Sequence, residues 1–209
     1  MTARRVRHVI LACSLLALLA TPVATAGATK RLEIPAAGAS IAVPTAWKAL
    51  DTSIVTNSQE FTRFIDENPS LRPFADQMRG PGSAIKLMVF DLKLTRGFAT
   101  NINVVVSAGS PGVTLAQLAS LCKQQLRTLL PTLQGPVTTG VVSLPSGKAV
   151  RASYRIGFKT AGRTFTVQSL QYVVLRANKS IVLTFSTLPT QARARSATFT
   201  AIARSLRFA

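Results

Sequence analysis

The chain has 209 residues, with 25 Lys and Arg against 7 Asp and Glu, and a formal net charge of +18 at pH 7. It holds one histidine, His8, and two cysteines, Cys13 and Cys122. So few acid–base and ligating groups exclude most catalytic and metal designs and leave a basic binding or structural module as the natural class.

Residues 1–26 are expected to be a cleaved Sec signal peptide. Arg4, Arg5 and Arg7 form a basic start, Val9 to Ala20 form a 12-residue apolar run, and Pro22 ends it. Ala24-Thr25-Ala26 then supplies the small residues of a cleavage site. The run is shorter than the ~20 apolar residues of a membrane span. Most of it follows Cys13 instead of preceding it, so lipidation there is not expected. Arg4-Arg5 lacks the apolar pair of a twin-arginine signal. The expected mature chain, Gly27 to Ala209, has 183 residues and fits one domain with a substantial core. Its location is expected to be secreted or extracytoplasmic, in the cell envelope. Its only cysteine is Cys122, so no internal disulfide can hold it. Abundant Ala, Arg, Thr and Val suggests a bacterium with a GC-rich genome.

Arg31 to Ile34 and Ser40 to Val43 read as short strands around a Pro35-Ala36-Ala37-Gly38 turn, after which Pro44 to Trp47 leaves the sheet. Asn57 to Asn68 has helical spacing, with Phe61, Phe64 and Ile65 on one face. Asn68-Pro69 starts a second helix with Leu71, Phe74 and Met78 inward, ended by Gly80-Pro81-Gly82. Ile85 to Leu92 and Phe98 to Ser107 are strands joined through Arg96-Gly97. Thr114 and Gln117 form a capping box for a helix whose apolar stripe is Leu115, Leu118, Cys122, Leu126, Leu129 and Leu133. Gly135-Pro136 is expected to end that region. Four strands follow: Val137–Leu144, Lys148–Phe158, Arg163–Arg176 and Ser180–Thr187, with turns short enough to make them antiparallel neighbours. Thr190 to Arg207 closes the chain as a helix, with Phe199, Ile202 and Leu206 inward. Strands in a row with helices between and after them give an α+β single domain, a largely antiparallel β-sheet packed between helices.

Ile41-Ala42-Val43-Pro44-x-x-Trp47 near the start, the strand Ile181 to Ser186, and the ending Ile202-Ala203-Arg204-Ser205-Leu206-Arg207-Phe208 carry a resemblance. In these, and in element order over about the whole expected mature chain, the sequence resembles the PsbP-like superfamily. That group includes the photosystem PsbP proteins, a Ran-binding nuclear transport factor and actinobacterial LpqN-type secreted proteins. The resemblance implies an antiparallel sheet sandwiched by helices, and a binding or assembly role without an active site. No lipid-attachment cysteine of the LpqN kind stands in the matching place.

Without a histidine, neither a Ser-His-Asp nor a Cys-His apparatus is possible in residues 27–209. Ser120-Leu121-Cys122-Lys123 has S-x-x-K spacing, but the companion motifs of that family are absent. Cys122 falls in an apolar stripe and reads as a small buried hydrophobe. No metal site is expected, since one cysteine and no histidine leave transition metals without their usual donors, and no spacing matches a calcium loop. No phosphate-cradling glycine loop is present and no cofactor is expected.

The charge is divided unevenly. All seven acidic residues, Glu33, Asp51, Glu60, Asp66, Glu67, Asp76 and Asp91, precede residue 92, whereas residues 92–209 carry 15 Lys and Arg. On Lys148–Phe158 one parity is Val150, Ala152, Tyr154, Ile156 and Phe158, and the other is Arg151, Ser153, Arg155 and Gly157, with Lys159 beyond. One face is therefore buried and the other cationic. Thr164, Thr166 and Gln168 can lie beside those arginines. The candidate anion-binding set is Arg151, Arg155, Lys159, Arg163, Arg193, Arg204 and Arg207. Expected partners are an anionic envelope polymer, an anionic lipid surface or an acidic protein. Export and few aromatics disfavour nucleic acid. Three classes stay open: an exported non-catalytic binding or assembly factor, a Ser/Lys- or carboxylate-dependent envelope hydrolase, and a structural envelope protein whose charge only keeps it soluble.

Overall fold

The computed structural model describes residues 27–51, 58–67, 85–160 and 163–209. The expected signal segment and the helix expected after Asn68-Pro69 lie outside them. The described elements run, in chain order, β1 (Thr29–Ile34), β2 (Ala39–Pro44), β3 (Lys48–Asp51), α1 (Ser58–Glu67), β4 (Ile85–Phe90) and β5 (Asn101–Ala108). Next come α2 (Leu115–Leu129), β6 (Leu133–Leu144), β7 (Gly147–Thr160), β8 (Arg163–Arg176), β9 (Lys179–Thr187), α3 (Pro189–Arg204) and β10 (Arg207–Phe208). The fold is α+β, as the order of strands and helices implies.

Seven strands form one antiparallel sheet in the order β3-β4-β5-β9-β8-β7-β6. The run β6 to β9 is a meander, because its connections are too short for anything but adjacent antiparallel pairing. On its far side β9 takes β5, so α2 carries the chain from the middle of the sheet to the β6 edge. A second, three-stranded sheet has the order β1-β2-β10. Strands this long alternate their side chains, and both faces of the large sheet are used.

One face meets α3 and the small sheet. There Ile102, Val104, Ile181, Leu183 and Phe185 pack with Ile41, Val43, Trp47, Phe199, Ile202 and Leu206 in the largest core cluster. Phe185 stacks obliquely on Phe199 at 5.0 Å and edge-on to Tyr172 at 5.9 Å. The opposite face is covered in two places. Phe61, Phe64 and Ile65 of α1 join Phe90, Phe98, Phe165 and Val167. Cys122 of α2 packs on Val150 and Val173. We refer to the two as the α3 face and the α2 face.

Several boundaries differ from expectation for physical reasons. The terminal helix stops at Arg204, and Arg207 and Phe208 leave it to pair with Ser40 and Ala39 of β2. Leu206 is still buried, now at the helix exit. Helix α2 stops at Leu129, two residues before Pro131, which cannot continue it. Leu133 therefore lies in β6, and Leu129 is 71% exposed instead of extending the apolar stripe. Gly135-Pro136 does not end the region. Both sit inside β6, where the register slips between Gln134 and Thr138 and Gly135 takes φ 72°. An edge strand tolerates proline because one side of it needs no donors. Phe98 precedes β5 and instead bridges to Thr95 across the Arg96-Gly97 turn.

Buried polar groups are few among the described residues, and of their side-chain atoms the Ser146 Oγ is buried without a hydrogen-bond partner. The Thr100 and Thr187 hydroxyls meet at 2.9 Å. Asp91, the last acidic residue of the chain, accepts from the Lys93 amide at 3.0 Å and forms an ion pair with Arg195 of α3. Phe185→Ala should therefore cost about 3–5 kcal/mol in denaturant unfolding, whereas Leu129→Ala should stay within about 0.5 kcal/mol. Equal losses for the two would contradict this placement of the core.

Candidate functional site

Strand β7 projects Arg151, Ser153, Arg155 and Lys159 to the α3 face and buries Val150, Ala152 and Tyr154 on the other. Successive cations are about 13 Å apart, the rise of four strand residues. Opposite Arg155 stands Gln168 of β8, whose Oε1 accepts from the Arg155 Nε at 3.0 Å. The Gln168 amide nitrogen in turn donates to the Ser153 Oγ at 3.0 Å. With its oxygen already accepting, the Ser153 hydroxyl has its own proton to give outward. Arg151 has no hydrogen-bond or ion-pair partner among the described residues. It stands at a cleft of about 180 Å³ between β7, β8 and α3, shared with Ser153, Gln168, Thr187 and Ser196.

The other candidate cations are placed elsewhere. Arg163 begins β8 on the α2 face, with its guanidinium 5.5 Å from the Phe165 ring centre. A Cβ on Gly97 would come within 3.1 Å of that guanidinium, so the glycine leaves it room. Arg193 and Arg204 are exposed on the outer side of α3, roughly 16 Å apart along it. Arg207 lies on β10 opposite Ser40. The structure thus gathers Arg151, Arg155 and Lys159 on one strand and disperses the remainder.

The α2 face carries a second feature. Between the regions covered by α1 and α2 lies a cavity of about 490 Å³, floored by β5, β9 and β8. Its floor is polar where a two-sided sheet is normally apolar: Asn103, Thr184 and Gln171 form one cross-strand row, and Asn101, Ser186 and Ser169 the next. A further cavity of about 420 Å³ runs between α2 and the sheet.

No protein-family model matches the sequence, and no curated protein matches it. Solved structures do. Cyanobacterial PsbP (CyanoP) from Synechocystis sp. PCC 6803 superposes with a TM-score of 0.56 at 15% identity, over 92% of this chain and 99% of its own. The Ran-binding protein Mog1p of Saccharomyces cerevisiae superposes with a TM-score of 0.52 at 10% identity, over 87% of this chain and 95% of its own. The chain has a PsbP-like fold. LpqN of Mycobacterium tuberculosis, described as involved in cell envelope biogenesis, overlays more loosely, with a TM-score of 0.47 at 13% identity over 88% of this chain and 86% of its own.

In this PsbP-like chain the short motifs that carried the resemblance are core contacts. Val43, Trp47, Ile181, Phe185, Ile202 and Leu206 all belong to the largest cluster. The polar floor was not read from sequence. Its signal is Asn-x-Asn in β5, Ser-x-Gln in β8 and Thr-x-Ser in β9, each interleaved with apolar residues that point to the α3 face.

Ser120 and Lys123 are both exposed on α2, and the Ser120 hydroxyl donates to the Ala116 carbonyl at 3.2 Å. Cys122 is buried, and burial pushes its thiol above the ordinary value. Burial also raises the Tyr154 phenol, with the Ser169 hydroxyl partly offsetting it. For Cys122 the neutral form is the one the fold favours. Its contribution to stability is intact below the unfolded thiol value of about 8.5 and is lost as pH rises through the higher folded value. Iodoacetamide at neutral pH should therefore modify Cys122 slowly in the native protein and rapidly in denaturant. Equal rates, measured by intact mass, would contradict a buried thiol.

Proposed function

We propose that this protein is an exported, non-catalytic cell-envelope protein that binds a phosphate-bearing surface through Arg151 and Arg155. One observation carries the reading. Arg151 is an exposed guanidinium without a partner among the described residues, beside the Ser153 hydroxyl, which accepts from Gln168 and keeps its own proton to donate. A guanidinium fork fits phosphate oxygens well. Arg155, held by Gln168, extends the same cationic row. The N-terminal pattern at Arg4–Ala26 supports export, and no helix among the described residues is long and apolar enough to cross a membrane. The PsbP-like fold supports a binding role, since Mog1p is described as Ran-binding. Lipid headgroups and teichoic-acid-like polymers share the phosphodiester this row would recognise.

Co-sedimentation of residues 27–209 with anionic and neutral vesicles tests it. Binding should occur only with the anionic vesicles and should fall at high salt. The Arg151→Ala/Arg155→Ala variant should lose about 2 kcal/mol, near ~30-fold in affinity, at about 1 kcal/mol per cation near the surface. Soluble polyphosphate should compete. Undiminished binding by the double variant, or equal binding to neutral vesicles, would overturn the assignment. Capture by an acidic protein with no vesicle or polyphosphate binding would replace the surface by a protein partner.

A further inference from the structure

The two cavities of the α2 face adjoin. Tyr154, Gln171 and Val182 line both, so side by side they outline one trough along the sheet that reaches beneath α2. No described residue lining either part is charged, although the chain carries a net charge of +18. Together the parts fall in the size range of small-ligand sites.

The trough has a definite polarity pattern. Its middle is the row Asn103, Thr184 and Gln171. Gln171 donates to the Thr184 Oγ1 at 3.2 Å, which leaves the Thr184 proton and the Gln171 carbonyl oxygen to face the trough. The Asn103 carboxamide has no side-chain partner among the described residues. Asparagine is disfavoured within strands, and a polar group facing a covered sheet needs a partner. The row thus offers both donors and acceptors. One register step away, Val105, Val182 and Val173 begin an apolar floor. It continues between Cys122, Leu118 and Leu126 of α2. Leu121 and Leu129, 43% and 71% exposed, border that part and leave apolar surface at its rim.

We infer that this trough binds an uncharged single-chain amphiphile, with a hydroxyl- or ester-bearing head on the Asn103–Thr184–Gln171 row and its acyl chain beneath α2. An apolar chain matches the valine and leucine walls. A neutral head fits, because a carboxylate or ammonium here would be partly desolvated with no counter-charge among the described residues. The site lies on the face opposite Arg151 and Arg155 and is independent of the anion-binding reading.

The test is calorimetric titration of the purified protein with a medium-chain monoacylglycerol, with the matching fatty acid anion, and with the matching alkylammonium. The monoacylglycerol should bind, and each charged probe should bind at least ~10-fold more weakly. Val182→Trp, which fills the junction of the two cavities, should abolish binding. Asn103→Leu should weaken the monoacylglycerol about fivefold, the effect of one lost hydrogen bond. It should leave the thermal melt in place, and it carries the test if the tryptophan variant does not fold. Arg151→Ala/Arg155→Ala should bind the monoacylglycerol as the parent does, so failure of either reading is seen separately. No monoacylglycerol binding, equal affinity for a charged probe, or undiminished binding by a folded Val182→Trp would overturn the inference.

Discussion

Phe185 and Phe199 meet in the layer between the seven-stranded sheet and α3, and the rest of the molecule is arranged around keeping that layer closed. Closure comes from the end of the chain returning to its beginning. Past α3, β10 pairs with β2, and the Ser205 hydroxyl accepts from the Ala42 amide at 2.7 Å while lying 3.3 Å from the Ala42 carbonyl. The first strands cannot fold as an independent hairpin, because a two-stranded unit is marginal in water. They need both α3 and β10. With no disulfide among the described residues, Ile41, Val43, Ile202 and Leu206 fasten the first strands to α3 by being buried together. On the other flank of α3, the ion pair from Arg195 to the nearly buried Asp91 fixes the helix against the loop after β4.

The α3 face is covered by a helix and a sheet, the described residues cover the α2 face only in part, and the two faces have different chemistry. The sealed face is apolar at its centre, and at its β7 edge it opens into a hydroxyl-lined cleft with cations alongside. The partly covered face keeps amides and hydroxyls on its floor, with apolar walls on either side. Arg151, Arg155 and Lys159 lie on the first, and no described residue lining the cavities of the second is charged. A solubilising role alone would require no such partition, since any exposed position serves solubility equally well.

The meander was legible in sequence because β7, β8 and β9 alternate cleanly and are joined by tight turns; the expected span of β8 matches the observed Arg163–Arg176. The capping box at Thr114 and Gln117 was equally plain, and both of its bonds are present. Strand β3 was not legible. Four residues, Lys48–Asp51, show no useful period, and their partner β4 lies more than thirty residues on. The two-residue β10 exists only because β2 offers it an edge. Gly135-Pro136 read as a terminator because that pair usually ends an element, and only the position of β6 at the sheet edge makes it tolerable. That Arg151 and Arg155 share one face of β7 followed directly from strand parity. The clefts did not, since they depend on where α2 and α3 stop short of covering the sheet.

The central claim is that binding is localised to the β7–α3 edge and does not follow net charge alone. The most direct measurement is an amide chemical-shift titration of the isotope-labelled protein with polyphosphate at low and high salt. The account predicts salt-sensitive shifts confined to Arg151, Ser153, Arg155, Gln168 and the neighbouring turn of α3 around Ser196. Shifts spread evenly over every exposed lysine and arginine, with the β7–α3 edge no different from Arg204 or Lys123, would contradict it.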